Sequence, residues 1–221
     1  MIETRKFTSQ QIAKAYDRRS LIYSKTIARL EFKNHLRALE HAAIQPGEKV
    51  LEVAVGPGRT LLEIAKRVGP DTSVHGVDIS KNMLEIARRE LLDAGYPYLD
   101  LRVGDAKRLP YPAATFDVLY NGYMLDLIPL GDIPRVMTEF SRVLRSGGRL
   151  VLLNMSRRDG PKINLYEKLY AGLPAGFVLN FMGACRPVLM EAPARAAGFS
   201  QLRRELIPGM IPSEIVLGFK P

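Results

Sequence analysis

A chain of 221 residues with 47% hydrophobic and 25% charged content carries enough apolar surface for one domain with a sizeable core. No run of about 18 apolar residues occurs, the first residues lack the apolar stretch of a secretory signal, and the single Cys185 excludes an internal disulfide or a multi-cysteine metal site. The expectation is a single-domain, metal-free cytoplasmic protein whose formal charge of +9 has three candidate causes: nucleic acid, an anionic membrane surface, or a generally basic cellular protein set.

Residues 1–45 read as a helical cover. Residues 1–40 hold nine Lys or Arg against four acids, and Arg18, Arg19, Lys25, Arg29, Lys33 and Arg37 interleave at helical spacing with Ile22, Ile27, Leu30, Phe32 and Leu36. The basic face is either solvated or in peripheral contact with an anionic membrane, so membrane association is one expectation. Nucleic acid is not an expected partner, because no aromatic-interleaved basic patch accompanies the charge.

Residues 46–155 alternate strand and helix, which predicts a doubly wound, mostly parallel α/β sheet with its ligand beyond the carboxyl ends of the strands. Pro46-Gly47-Glu48 opens the apolar run Val50 to Val55, a buried parallel strand that turns through Gly56 and Gly58 into a helix near Thr60. That turn brings bare backbone and free helix N–H groups to a ligand. Glu52 is an acid in an apolar strand and needs a partner, either a bound cation or a nearby Lys or Arg. The next strand, Ser73 to Asp78, ends in a second acid 20 residues beyond Gly58, where such folds grip a ribose diol. A dinucleotide fingerprint would need a third glycine at position 61, which is Leu61. Helices are predicted from near Lys81 and Asp132, and Gly147-Gly148 turns the chain into a fifth strand. Residues 156–195 read as a lid and substrate segment, helical at Tyr166 to Tyr170, with a further helix from Pro187 to Ala197. Residues 196–221 then hold two final strands, Gln201 to Leu206 and Ser213 to Phe219.

The run Glu52-Val53-Ala54-Val55-Gly56-Pro57-Gly58 resembles the first motif of the class I S-adenosylmethionine-dependent methyltransferases, roughly E/D-x-G-x-G-x-G, with Ala54 in place of the first glycine. Val77 to Ala87 resembles the second motif, Leu101 to Ala106 the third-strand motif, Phe116 to Asn121 the fourth strand and Val143 to Val151 the turn into the fifth. The resemblance implies a seven-stranded Rossmann-like methyltransferase sheet as one domain over 1–221, with S-adenosyl-L-methionine as cofactor and S-adenosyl-L-homocysteine as product. It also implies a cofactor set of Glu52, Ala54, Gly56, Gly58, Thr60, Asp78, Ile79, Met83, Asp105, Ala106 and Asn121. Taken alone, Asp78 is better suited to capping a helix and Asp105 to holding a loop than to binding a ligand, and it is their joint order that reverses this.

Tyr16 and Tyr23 match the aromatic positions of an aromatic-x6-Tyr-Asp signature. It is similar to that of the ubiquinone/menaquinone-biosynthesis C-methyltransferase family and of the soluble bacterial phosphatidylethanolamine N-methyltransferases. Ser24 stands where the aspartate is usual, and the same tyrosines also suit a plain core face. The resemblance implies that both touch the cofactor. The acceptor is expected to be a lipophilic small molecule, with C-methylation of a quinone precursor ahead of phospholipid N-methylation. A non-catalytic nucleotide-binding module and an NAD-dependent oxidoreductase are the readings of another class. Tyr123, Met124, Tyr166, Tyr170, Phe177, Phe181 and Met182 are candidates to line an apolar acceptor channel, and Arg157 and Arg186 to hold a phosphate. Asp126 is the candidate base, its alternative being a solvent-facing or helix-capping acid. His35, His41 and His75 are scattered and read as structural or exposed.

Overall fold

Apolar periodicity dictates the alternation of elements from Val50 onward, and the computed structural model describes residues 27–156, 186–209 and 212–221, with Gln11 and Gly172 singly. The helices are α1 (Ile27–Ala42), α2 (Arg59–Val68), α3 (Lys81–Asp93), α4 (Ile133–Val143) and α5 (Glu191–Ala196). The strands are β1 (Val50–Val53), β2 (Val74–Asp78), β3 (Leu99–Val103), β4 (Phe116–Gly122), β5 (Leu144–Met155), β6 (Ser200–Ile207) and β7 (Ser213–Phe219).

All seven strands form one sheet in the order β3-β2-β1-β4-β5-β7-β6. The first five are parallel, while β7 runs antiparallel to both β5 and β6. Alternate strand residues feed two apolar layers. Val50, Val118, Tyr120, Val151 and Leu153 pack with α1, α2 and α3, and Leu51, Val53, Leu119, Leu150 and Leu152 pack with α4 and α5. The chain steps outward from β1 to β3 and then returns to the other flank of β1, so the connections leaving β1 and β4 run to opposite faces of the sheet at their carboxyl ends. Open sheets of this kind leave their ligand crevice there.

Three boundaries differ from those the sequence predicts. β1 stops at Val53 because Ala54 turns left-handed, with φ 64°. Gly147 and Gly148 lie within β5, where Phe116 pairs with Leu144 but Val118 with Arg149, so the glycines form a bulge inside the strand. The helix expected from Pro187 spans only Glu191–Ala196, since the Val188 N–H is taken by the Met155 carbonyl at 3.0 Å and holds that stretch against β5. Among the described residues no helix is long and apolar enough to cross a membrane.

Candidate active site

The turn from β1 into α2 is built by backbone bonds that copy a sheet edge. Ala54 N–H and Val55 N–H both donate to the Val77 carbonyl, at 2.7 and 3.3 Å, so the turn hangs on β2. Ala54 has φ 64° and Gly56 φ 54°. For an alanine that conformation costs about 1–2 kcal/mol. The departure from glycine is therefore a strained position. Gly58, with φ 89°, serves helix packing instead, because a Cβ there would lie 2.7 Å from the Ala87 Cα, and its absence sets how closely α2 approaches α3.

Asp78 ends β2 and clamps this turn from below. Its Oδ2 accepts from Gly56 N–H at 2.8 Å and its Oδ1 from Ser80 N–H at 2.8 Å, while the Ser80 hydroxyl caps α3 by accepting from Met83 N–H. Beside this carboxylate opens a cleft lined by Val53, Ala54, Gly56, Asp78, Ile79, Met83, Gly104, Asp105, Ala106, Gly122, Tyr123, Met124, Leu127 and Ile128. Asp105 stands at its rim, its Oδ1 held by Lys107 N–H at 2.9 Å. The structure thus brings together nine sequence-predicted residues, Ala54, Gly56, Asp78, Ile79, Met83, Asp105, Ala106, Tyr123 and Met124.

A second, narrower compartment lies on the α1 side of the same turn, lined by Phe32, His35, Glu52, Ala54, Gly56, Arg59, Thr60 and Tyr123. Glu52 is buried and its Oε2 has no hydrogen-bond partner. Burial, reinforced by the charge of Asp78, holds its carboxyl well above the usual carboxylate range. Among the described residues no lysine or arginine neutralises it, which leaves a bound cation as the partner such an acid calls for. His35 was not readable as a site residue from its spacing alone, yet its Nδ1 meets the Tyr120 hydroxyl at 2.8 Å and the Thr60 hydroxyl at 3.1 Å. Burial lowers its pKa to about 4, so it is neutral at pH 7 and adds no positive charge. Its place on one helical face with Leu39 and Ala42, at i, i+4 and i+7, is the signal that it points at the sheet.

Other predicted residues fall elsewhere. Asn121 is buried with its Nδ2 on the Val53 carbonyl at 2.8 Å, tying β4 to β1 without lining the cleft. Tyr123 stands between the compartments with φ 50°, its hydroxyl accepting from Asn34 Nδ2 at 2.8 Å and bonded to the Ser213 hydroxyl at 2.9 Å. Asp126 is wholly buried, which excludes the solvent-facing alternative, and burial pushes its pKa up to about 7 against the Met155 N–H and the charge of Arg186. The Arg186 guanidinium donates to the Ile128 carbonyl. Tyr16, Tyr23, Arg157, Tyr166, Tyr170, Phe177, Phe181 and Met182 lie outside the described residues. Among the described residues no cluster of His, Cys, Asp or Glu could hold a metal ion.

A protein-family model described as a methyltransferase domain matches residues 50–148. A demethylmenaquinone methyltransferase from Symbiobacterium thermophilum is 40% identical over 128 residues, 57% of this chain and 49% of that protein. One from Lysinibacillus sphaericus is 31% identical over 169 residues, 75% of this chain and 70% of that protein. The chain thus spans about half the length of the first relative and more of the second. Among solved structures, the [4+2]-cyclase SpnF matches with a TM-score of 0.76 at 19% identity over 97% of this chain and 96% of that one. A SAM-dependent methyltransferase from Aquifex aeolicus matches with a TM-score of 0.64 at 17% identity over 98% and 100%, so both show the fold. Fold, site and sequence together place the chain in the class of S-adenosylmethionine-dependent methyltransferases. Within that class, the chain belongs to the ubiquinone/menaquinone-biosynthesis methyltransferase family.

Proposed function

We propose that this chain transfers the methyl group of S-adenosyl-L-methionine to a ring carbon of a quinone precursor. The observation that supports this best is the joining of an acid-lined cofactor cleft to an apolar wall of Met124, Leu127 and Ile128, in a chain whose relatives carry the name demethylmenaquinone methyltransferase.

The residues present fit the cofactor. The orphaned Glu52 oxygen suits its ammonium group, Asp78 its ribose hydroxyls, Ile79 and Met83 the faces of its adenine, and Asp105 with Ala106 the adenine edge. When bound, the cofactor supplies an electrophilic sulfonium methyl, and no metal is required. What remains for the protein is alignment in a water-poor pocket. Tyr123, braced by Asn34 and Ser213, fixes the wall where the compartments meet. Asp126 is the proposed proton acceptor, since a pKa near 7 makes it an effective base at neutral pH.

Phospholipid N-methylation has less support, because Arg186, the residue proposed to hold a phosphate, directs its guanidinium at a backbone carbonyl. An NAD site is disfavoured by Leu61, which is buried in the α2 core where a third glycine would stand. Contact of the basic face of α1 with an anionic membrane would bring an insoluble acceptor within reach; Lys33 is exposed there, whereas Arg37 is engaged by Glu205. Incubation with methyl-labelled cofactor and either a demethylmenaquinol or phosphatidylethanolamine tests the reading. Label in the quinol supports it, and label only in the phospholipid overturns it.

A further inference from the structure

β3 is one of the two edge strands of the sheet, and its ladder to β2 uses alternate residues. Val74 N–H donates to the Tyr98 carbonyl at 3.1 Å and Gly104 N–H to the Asp78 carbonyl at 3.0 Å, so Tyr98, Asp100, Arg102 and Gly104 turn their backbone groups inward. Leu99, Leu101 and Val103 therefore aim their N–H and C=O groups away from the sheet. Among the described residues no hydrogen bond reaches those groups.

A free edge is a template for another strand, and proteins blunt such edges with bulges, lysine or proline. β6, the other edge, is blunted, since its register slips between Ser200 and Arg203. β3 has none of these devices. It pairs with β2 in unbroken register from Leu99 to Val103 and holds neither lysine nor proline. Its surroundings are apolar and open. Of the five large apolar side chains left exposed among the described residues, three belong to this edge or to α3, the helix that packs on it: Tyr98 at 57%, Val103 at 56% and Leu92 at 48%.

The sequence of the strand selects what covers it. In an antiparallel pair of two copies with a two-fold axis at Leu101, the outward groups of Leu101 meet their own counterparts and those of Leu99 meet Val103 of the partner. Leu99 and Leu101 pack on the α3 side, so this pairing extends one apolar face across both copies. On the opposite face Asp100 meets Arg102 of the partner. The two are already joined at 2.7 Å within one chain, so the axis would gather an alternating ring of four charges. Tyr98 falls opposite Gly104, which leaves room for its ring. The neighbouring registers are disfavoured. An axis at Asp100 sets that acid against its copy and puts Val103 opposite Pro97, which has no N–H to give, while an axis at Arg102 sets that cation against its copy. Of the three, the register at Leu101 alone joins opposite charges.

We infer that two copies of this chain associate edge to edge through β3, as an antiparallel pair centred on Leu101, to form one sheet continuous across the dimer. The inference is independent of which methyl acceptor the protein takes.

Sedimentation velocity over a micromolar concentration series tests it with wild type and Val103→Lys. Oxidative cross-linking of Leu101→Cys and Leu99→Cys fixes the register, each in a Cys185→Ser background so that the new thiol is the sole one. Wild type is expected to reach twice the 24.7 kDa mass of the chain. Val103→Lys sets a charge opposite Leu99 at both ends of the pair and should raise the dimer dissociation constant about tenfold or more, while S-adenosylhomocysteine binding stays as in wild type. The Cα atoms of Leu101 and its copy would lie about 5.5 Å apart, within reach of a disulfide, so Leu101→Cys should cross-link. Leu99 and its copy would be offset by roughly 13 Å along the strands, so Leu99→Cys should not. A wild type that stays monomeric, a dimer that Val103→Lys leaves unchanged, or a dimer in which Leu101→Cys fails to cross-link would overturn the inference. If Val103→Lys does not fold, the two cysteine variants decide alone.

Discussion

Replacing Glu52 by glutamine should move stability and binding in opposite directions. The carboxyl is buried, its Oε2 is unpartnered, and burial with the charge of Asp78 raises its pKa above the ordinary 4.5. For an acid whose folded pKa is raised, the folded state binds more protons, so stability falls as pH rises from about 4.5 toward the folded value and stays low above it. Glutamine removes that loss. The ligand-free variant should melt higher than wild type at neutral pH, by about 2–4 °C for each kcal/mol recovered, and the gap should close in acid. Cofactor binding should weaken, because a hydrogen bond to a charged group is worth about 1.5–3 kcal/mol, or roughly 10- to 150-fold in Kd. Thermal melts across pH, paired with titration of S-adenosylhomocysteine, read both effects. A variant that binds the ligand as wild type does would refute the assignment of Glu52 to the cofactor's ammonium group.

Gly58→Ala should destabilise the fold by about 2 kcal/mol or more in a denaturant titration, because its Cβ would lie 2.7 Å from the Ala87 backbone. Ala54→Gly should instead raise stability by up to about 1 kcal/mol, relieving a left-handed alanine, and leave S-adenosylhomocysteine affinity intact. Wild type should lose stability as pH falls from 6.5 toward 4, because His35 must then be charged where burial keeps it neutral; His35→Gln should lack about 1–3 kcal/mol of that slope. Asp78→Asn should cost about 1–2 kcal/mol of stability, since the carboxylate holds the Gly56 and Ser80 N–H groups, and should also weaken S-adenosylhomocysteine binding.

The geometry of the proposed cofactor half of the site was legible because its parts are local. The acid, the glycine turn and the second acid at the end of β2 are fixed by strand and helix period within a short stretch, and Glu52, Gly56 and Asp78 lie where that pattern puts them. Residues joined across the sheet were not. His35 reaches Thr60 and Tyr120 from α1, and the Met155 N–H reaches Asp126 only because β5 runs beside β4, which spacing in one dimension does not encode. Asn121 shows the converse: it stands at the end of β4 where its motif falls, but its Nδ2 is spent on the Val53 carbonyl and it does not line the cleft. The bulge at Gly147 escaped for a similar reason, since glycine pairs mark a turn without saying whether the strand has already begun.

The most direct measurement is a parallel calorimetric titration of the wild-type protein with S-adenosylhomocysteine, NAD and NADP. Saturable binding of the first at one site per chain, with no heat from the dinucleotides, is the result predicted by an acid-lined turn that lacks a third glycine at Leu61. Binding of NAD or NADP in its place would contradict it.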